Sequence, residues 1–221
     1  RIQRYSKRRC ITENNKMIYT QKIQDAIRLA VETHELNQKQ KRKGADKIPY
    51  ITHPLTVGLI LAKAGASEDV IVAGILHDTI EDSIKDKKVT REMLAEKFGE
   101  TVAAFVENVT EMSKGLPWEE RKKGALEHVE TFSHESVLLK SADVINNLTE
   151  LQGCYKREHE EFWDYFKTPE PKKENILKNA NKVIQALLRI WPESPLASDL
   201  RYVLDCLEKL ENTTNGAEAK N

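Results

Sequence analysis

The feature that most constrains the fold is an apolar segment in the first half of the chain. Residues 70–76, VIVAGIL, carry apolar or small side chains at every position, whereas a helix on a protein surface keeps its apolar residues on one face. Ser67 is a favourable N-cap, and Glu68 and Asp69 suit the first turn of a helix. We therefore predict a helix that begins at this point and lies at the centre of the core.

Most of the remaining sequence has a helical period. Apolar residues recur at steps of three and four, which indicates amphipathic helices, and no alternating strand pattern of useful length is present. We expect helices over roughly 20–40, from Pro54, over 90–98, over 101–112, up to Gly153, and over roughly 172–191 and 196–211. The predicted class is all-α.

The chain of 221 residues is long enough for one substantial core, and no linker divides it convincingly. We expect one domain over residues 17–211, with Met17 as the natural start. The basic segment 1–16 is interpreted as a non-native or disordered N-terminal extension. The polar segment 212–221, NTTNGAEAKN, is interpreted as a disordered tail.

Composition excludes several classes of protein. Lysine plus arginine and aspartate plus glutamate balance at 35 each, which argues against a nucleic-acid partner bound through bulk charge. No apolar run approaches the roughly 20 residues of a membrane span, so no membrane partner is expected. The cysteines Cys10, Cys154 and Cys206 form no CxxC pair, which favours a reducing cytoplasm over a disulfide framework. The oligomeric state is not predicted.

Ligand-type side chains follow the apolar segment directly. His77, Asp78, Glu81 and Asp82 lie within six consecutive positions, and on a continuous helix they would form two rows one turn apart. Charged groups at the end of a buried segment need a partner or a metal ion. Imidazole together with carboxylate suits a divalent ion such as manganese, iron or zinc.

Further ligands must come from elsewhere in the sequence. The candidates are His53, in YITHP, and Asp143, in KSADVINNL, since each stands beside an apolar helical run. A lone histidine at a helix start is more often a cap or a packed core residue, and a lone aspartate is often solvated. The four groups together nevertheless favour a metal site.

Three motifs carry a resemblance to a known family. RKGADKIPYITHP, ILHDTIEDS and KSADVINNL resemble, in order and spacing, the HD-domain hydrolase half of RelA/SpoT-type alarmone enzymes, in particular the free-standing small alarmone hydrolases. The resemblance covers roughly residues 20–155. The HDxxED pattern separates this group from the wider HD superfamily, so the resemblance implies a single HD-domain helical bundle.

The resemblance also implies an activity. The implied metal ligands are His53, His77, Asp78 and Asp143, with Mn2+ as the usual ion and other divalent metals possible. Glu81 and Asp82 resemble the pair that handles the attacking water and its protons. The implied reaction removes the 3′-pyrophosphate from (p)ppGpp and gives GDP or GTP and pyrophosphate. No synthetase half follows the hydrolase half in this sequence, so hydrolysis without alarmone synthesis is expected.

Four residues are implied in substrate binding. Arg42 and Lys43 match the family's RK pair, which lies against the base and the phosphates, and an arginine can both stack and form a bidentate contact. Asn147 keeps its place one turn after Asp143. Arg121 belongs to a segment that resembles the family's W-x-x-R-K region, although a solvated helix with Glu–Lys pairs is an equal alternative there.

The sequence departs from the family pattern near these residues. The segment GADKI adds residues after the RK pair, Val144 replaces a basic residue, and Glu150 stands where a threonine is common. These changes concern the substrate side of the site. The metal ligands are unaffected.

Two other sequence features have a structural interpretation. The aromatic cluster FWDYF over 162–166 is expected mainly in the core, although it could also line a nucleotide pocket. His34 lies on the apolar stripe of the first helix and is expected to be a packed structural histidine.

Two alternative functions remain open from sequence. One is an HD-domain phosphohydrolase for another nucleotide, such as ppApp, NADPH or a nucleoside monophosphate. The other is a non-catalytic nucleotide-binding HD protein. The acidic pair Glu81 and Asp82 counts against a simple binding protein, which has no chemical use for it, and the HDxxED and RK motifs favour the alarmone substrate.

Overall fold

The computed structural model describes residues 19–111 and 115–215, with side chains up to residue 210, and these residues are all-α. The helices are α1 (Gln21–Val31), α2 (Thr52–Lys63), α3 (Glu68–Leu76), α4 (Thr79–Asp82), α5 (Arg91–Phe98), α6 (Glu100–Val109), α7 (Trp118–Val129), α8 (His134–Glu158), α9 (Lys172–Ile190) and α10 (Ala197–Asn215). A π-helical turn, Glu32–Leu36, extends α1, and 3-10 turns occupy Lys85–Lys87 and His159–Tyr165. None of the helices in the two described ranges is long and apolar enough to cross a membrane.

Some expectations concern the ends of the chain. The predicted N-terminal extension 1–16 lies outside the described residues. The predicted tail 212–221 is partly outside them, and α10 continues to Asn215 before that limit.

The apolar helix α3 lies at the centre of the core, as predicted. Residues 70–76 are all buried, and α3 packs against α1, α2, α6 and α8. The side chain of Ser67 caps the helix by accepting a hydrogen bond from the backbone N–H of Val70. A helix with neighbours on every side requires apolar residues on every side, which explains the composition of this segment.

Helices α2 and α3 form an antiparallel pair with an unusually close approach. A methyl group on Gly58 of α2 would lie only 2.7 Å from Ile75 Cγ1 of α3, and one on Gly74 of α3 would overlap the side chain of Leu61 of α2. The two glycines therefore allow the helix axes to approach more closely than larger residues would. This approach brings the start of α2 beside the end of α3.

The chain does not run as one helix from residue 68 to Asp82. α3 ends at Leu76, Asp78 has φ −95° and ψ −4°, and α4 begins at Thr79. Side chains satisfy two carbonyl groups at this break, because Thr79 Oγ1 donates to the Leu76 carbonyl at 2.7 Å and His77 Nδ1 lies 2.7 Å from the Gly74 carbonyl oxygen. His77 and Asp78 therefore lie in a turn and Glu81 and Asp82 in the short helix α4, so the expected rows on one continuous helix were wrong.

The long helix α8 also differs from expectation. It continues through Gly153, where the sequence predicted its end, as far as Glu158. A glycine inside a helix costs about 1 kcal/mol relative to alanine. The buried side chains of Leu151 and Cys154, on either side of it, hold this part of α8 in the core and offset that cost.

The segment between α1 and α2 folds as a short hairpin-like loop. An antiparallel bridge pairs Lys41 with Pro49, and the backbone N–H of Arg42 donates to the Ile48 carbonyl at 2.8 Å. Glu158 at the end of α8 accepts the backbone N–H of Ala45 at 3.1 Å. The GADKI residues are thus held against α8, and Arg42 points inward.

Candidate active site

Four ligand-type side chains from three helical regions meet in the core. His53 comes from the first turn of α2, His77 and Asp78 from the turn after α3, and Asp143 from the middle of α8. One atom each of His53, His77 and Asp143 lies within 4.8 Å of the others. Asp78 Oδ2 lies 3.1 Å from His77 Nε2 and 3.6 Å from His53 Nε2. We call these four residues the ligand cluster.

The hydrogen bonds of the two imidazoles fix where their protons lie. His77 Nδ1 faces the Gly74 carbonyl at 2.7 Å, and His53 Nδ1 faces the side-chain oxygen of Asn146 at 2.6 Å. Both oxygens only accept, so both Nδ1 atoms donate and each neutral ring presents a lone pair at Nε2. The two Nε2 atoms are 3.2 Å apart. Two facing lone pairs repel each other unless a cation or a proton lies between them.

The electrostatics of the ligand cluster also favour positive charge. Burial alone lowers the pKa of His77, but Asp78, Asp143 and the Gly74 carbonyl raise it to about 9. Burial raises the pKa of Asp143, but Lys140 and the two imidazoles hold it well below its ordinary value. The carboxylates are therefore ionised at neutral pH and the cluster attracts a cation.

The donor set fits a divalent metal ion. Two imidazole nitrogens and two carboxylates suit borderline divalent ions, and histidine ligands in proteins commonly donate their other ring N–H to a carbonyl. Both histidines here make that second bond. The buried cluster therefore has the chemistry of a metal centre, with Asp78, about one-fifth exposed, on its open side.

Three supporting residues were not predicted from the sequence. Tyr50 Oη donates to Asp78 Oδ2 at 2.5 Å, Lys140 Nζ lies 2.8 Å from Asp143 Oδ2, and Asn146 holds His53. Lys140 stands three residues before Asp143, so the helical period could have found it. The contacts of Tyr50 and Asn146 join parts of the chain that are far apart in sequence, so sequence spacing gave no signal for them.

The acidic pair lies beside the ligand cluster. Asp82 Oδ2 accepts a hydrogen bond from Gln40 Nε2 at 2.9 Å, and Gln40 in turn meets Nδ1 of the fully buried His34 at 2.9 Å. The expectation that His34 is packed in the core is confirmed. Glu81 Oε2 lies 3.4 Å from the backbone N–H of Glu111. Both acidic side chains are partly exposed, so solvent reaches them.

A cavity of about 620 Å³ opens next to these groups. Its wall includes Tyr50, Glu81 and Asn147, which contact or neighbour the ligand cluster, and Arg42, Lys43 and Arg121, which were expected in substrate binding. Apolar side chains complete the wall: Leu148, Leu151, Phe162, Phe166 and Ile176. The aromatic cluster thus divides between the two expected places, because buried Trp163 is in the core whereas Phe162 and Phe166 face the cavity.

Arg42 is held by an ion pair inside this cavity. Its Nε lies 2.7 Å from Glu150 Oε2, and its Nη2 lies 2.6 Å from the same oxygen and 2.7 Å from Asn147 Oδ1. Its guanidinium carbon also lies 5.2 Å from the centre of the Tyr50 ring. Asn147 donates to Asp143 Oδ1 at 2.5 Å, so a continuous chain of contacts joins Arg42 to the ligand cluster.

The other two basic residues differ in their partners. Arg121 is paired with Glu111, whose other oxygen lies 2.7 Å from Lys122 Nζ. Lys43 has no carboxylate within ion-pair distance among the residues that the structure describes, and its ammonium lies 4.1 Å from the centre of the Phe166 ring. Desolvation, then Arg42 and Lys122, lower the pKa of Lys43, although much of its side chain is exposed.

A second cavity, of about 860 Å³, lies between α6, α7, α8 and α9. It reaches Lys140 and shares Lys122 and Asn179 with the first cavity. It contains neither the acidic pair nor the RK pair. We therefore take the smaller cavity as the candidate substrate site.

Comparisons with known proteins agree with this geometry. Residues 26–164 match the HD domain family. The chain is 39% identical over 132 residues to guanosine-3′,5′-bis(diphosphate) 3′-pyrophosphohydrolase MESH1 of Danio rerio, covering 59% of this chain and 69% of the relative. The protein of the same name from Xenopus tropicalis is 40% identical over 134 residues, covering 60% of this chain and 70% of the relative.

Solved structures give the same result. A structure described as a metazoan ortholog of SpoT that hydrolyzes ppGpp superimposes with a TM-score of 0.67 at 25% identity, covering 87% of this chain and 97% of the other. The crystal structure of lmo0812 from Listeria monocytogenes has a TM-score of 0.59 at 32% identity, covering 71% of this chain and 99% of the other. With its all-α fold and its histidine–aspartate cluster, the chain belongs to the HD domain family, in the group that contains the MESH1 pyrophosphohydrolases.

Proposed function

We propose that this protein is a metal-dependent phosphohydrolase that removes the 3′-pyrophosphate from (p)ppGpp, giving GDP or GTP and pyrophosphate. The observation that carries the proposal is the pair of imidazole Nε2 atoms 3.2 Å apart with both Nδ1 atoms already used. The names of the MESH1 relatives support the choice of substrate. Hydrolysis of this kind needs one water molecule and no further co-reactant.

The ligands proposed for the metal are His53, His77, Asp78 and Asp143, and the proposed ion is Mn2+. A bound divalent ion would lower the pKa of a water molecule and offset charge on the phosphoryl group. Lys140 holds one oxygen of Asp143 at 2.8 Å and Asn147 holds the other at 2.5 Å. Tyr50 orients Asp78 in the same way. These contacts fix the carboxylates before any ion arrives.

Glu81 and Asp82 are proposed to handle the protons. Both are partly exposed beside the ligand cluster, so one can accept a proton from the attacking water while the other donates to the departing 3′ oxygen. The hydrogen bond from Gln40 orients the carboxylate of Asp82. These residues act on water and protons and are not counted among the metal ligands.

The substrate is proposed to occupy the cavity of about 620 Å³. Arg42, Lys43, Asn147 and Arg121 line it, and its apolar wall suits a nucleobase. The proposed partner is therefore a small nucleotide, with neither nucleic acid nor membrane required. The free thiols of Cys154 and Cys206 support a reducing cytoplasmic location.

A product panel tests the proposed function. Purified, manganese-loaded protein is incubated with ppGpp, ppApp, NADPH and nucleoside monophosphates, and the products are identified by chromatography and mass spectrometry. We expect GDP and pyrophosphate from ppGpp in equal amounts. Turnover of another member of the panel with none of ppGpp would replace the alarmone substrate. No turnover of any member would favour a binding protein.

A further inference from the structure

The most informative unassigned residue in the cavity is Glu150. Its carboxylate takes two of the donors of Arg42 through a single oxygen, Oε2. Among the described residues, nothing donates a hydrogen bond to the other oxygen, Oε1. The side chain is 23% exposed and lines the cavity. The cavity wall therefore presents an acceptor, where an unpaired Arg42 would present a positive charge.

Because of this ion pair, the two members of the RK pair differ in the charge that they present to a ligand. The charge of Arg42 is neutralised by Glu150, whereas Lys43 has no carboxylate partner in the part of the chain that the structure describes. A phosphate group beside Glu150 would be repelled by its carboxylate, but one beside Lys43 would be attracted. The phosphates are therefore directed toward Lys43, and the Arg42–Glu150 pair is left for another part of the nucleotide.

The helix geometry indicates that this other part of the nucleotide is its base. Asp143, Asn147 and Glu150 follow one another at helical steps on α8, so Glu150 lies about 10 Å along the axis from the ligand cluster. When the 3′ substituent of a nucleoside lies at the ligand cluster, its base lies at about this distance from the cluster, beside Glu150. Leu148 and Leu151 of the same helix supply apolar surface beside it.

A carboxylate oxygen distinguishes purines by their Watson–Crick edges. Guanine presents two adjacent donors there, N1–H and the 2-amino group, whereas adenine presents one donor beside the lone pair of N1. The carboxylate would bind the first edge and repel the second, because its oxygens only accept. A site whose wall offers an acceptor discriminates against a ligand without the matching donor.

We propose that Glu150, oriented by Arg42, is a specificity-determining residue that selects guanine nucleotides over adenine nucleotides. This inference rests on the proposed function only for the orientation of the nucleotide in the cavity. It assigns the base to the α8 side of the cavity and the phosphates to the side of Lys43.

Equilibrium binding tests the inference without requiring turnover. GDP and ADP are titrated by calorimetry into the purified protein and into the variants Glu150→Thr, Glu150→Gln and Glu135→Gln. Glu135 is an exposed glutamate in the first turn of the same helix, so Glu135→Gln controls for the loss of one negative charge. Thermal melting of each variant shows that it is folded.

We expect the unchanged protein and Glu135→Gln to bind GDP at least 10-fold more tightly than ADP. In Glu150→Thr the preference should fall to within about 3-fold, and in Glu150→Gln it should fall or reverse, because the amide nitrogen can donate to adenine N1. Equal binding of GDP and ADP by the unchanged protein, or an unchanged preference in the folded Glu150→Thr variant, would overturn the inference.

The same measurements separate this inference from the proposed function. Hydrolysis of ppGpp without any effect of Glu150 on base preference would support the proposed function and contradict this inference. A preference for GDP that depends on Glu150, without hydrolysis of any member of the product panel, would support this inference and contradict the proposed function.

Discussion

The ligand cluster and the cavity beside it are built in different ways. The cluster lies between helices α2, α3 and α8, and each of its side chains is held by at least one further residue. The cavity takes Arg42 and Lys43 from a loop and Arg121 from α7, and two of these three cations are already paired with glutamates. A rigid site suits a metal ion of fixed geometry, whereas a site of exchangeable ion pairs suits a charged ligand that must enter and leave.

The first prediction concerns the rigid ligand cluster and has the largest expected effect. Asp78→Ala should remove both bound metal and all measurable turnover, because it deletes a proposed ligand and leaves the two imidazoles with one carboxylate. Metal content by mass spectrometry and product formation are measured together. Asp86→Ala, at an exposed aspartate in the following 3-10 turn, should retain both. Unchanged metal content in Asp78→Ala would remove that residue from the ligand set.

The second prediction separates chemistry from metal binding. The double variant Glu81→Gln, Asp82→Asn should keep its metal and lose turnover by roughly 10²- to 10⁴-fold, the usual contribution of general acid–base catalysis. Metal content and kcat are the measurements. Full activity would refute the proton-handling role, and loss of metal would instead place one of the two residues among the ligands.

The third prediction concerns how the affinity of the ligand cluster for a metal ion depends on pH. The pKa of His77 is raised to about 9, so in the metal-free protein this imidazole holds a proton below that pH, and a metal ion must displace it. The apparent affinity for Mn2+ should therefore rise by up to about 10-fold per pH unit between pH 7 and 8.5. Competition with a chelator of known affinity, under nitrogen, measures it. A flat profile would show that no proton is displaced.

The fourth prediction concerns the cavity and has the smallest effect. Lys43→Gln should raise KM about 10-fold, as expected for the loss of a charged contact of about 1.5 kcal/mol, while metal content and kcat stay the same. Lys47→Gln, at an exposed lysine in the same loop, is the matched control. Arg42→Ala should also raise KM, because it frees Glu150 from its partner. If both RK variants keep the original KM, the loop takes no part in binding.

The two regions also differ in how far the sequence predicts them. The residues of the ligand cluster could be named as candidates in advance, because each stands beside an apolar helical run and all four belong to motifs that resemble those of a known family. The pairing of Arg42 with Glu150 joins residues 108 positions apart and leaves no periodic signal. Local signals failed at Gly153, where packing overrides the low helix propensity of glycine, and at Asp78, where side chains capture the carbonyl groups that end α3.

The glycine contact between α2 and α3 has a consequence for how this protein tolerates mutation. His53 and His77 stand at adjoining ends of these two helices, so the gap between their rings is set by the thickness of the helix interface. A single methyl group at Gly58 or Gly74 would force the facing side chain, Ile75 or Leu61, or its helix to shift. In a library of random variants, those that fail to bind metal should therefore include substitutions at Gly58 and Gly74, although glycine has no side chain that could bind a metal ion. A screen for lost activity would find these two positions together with the histidines.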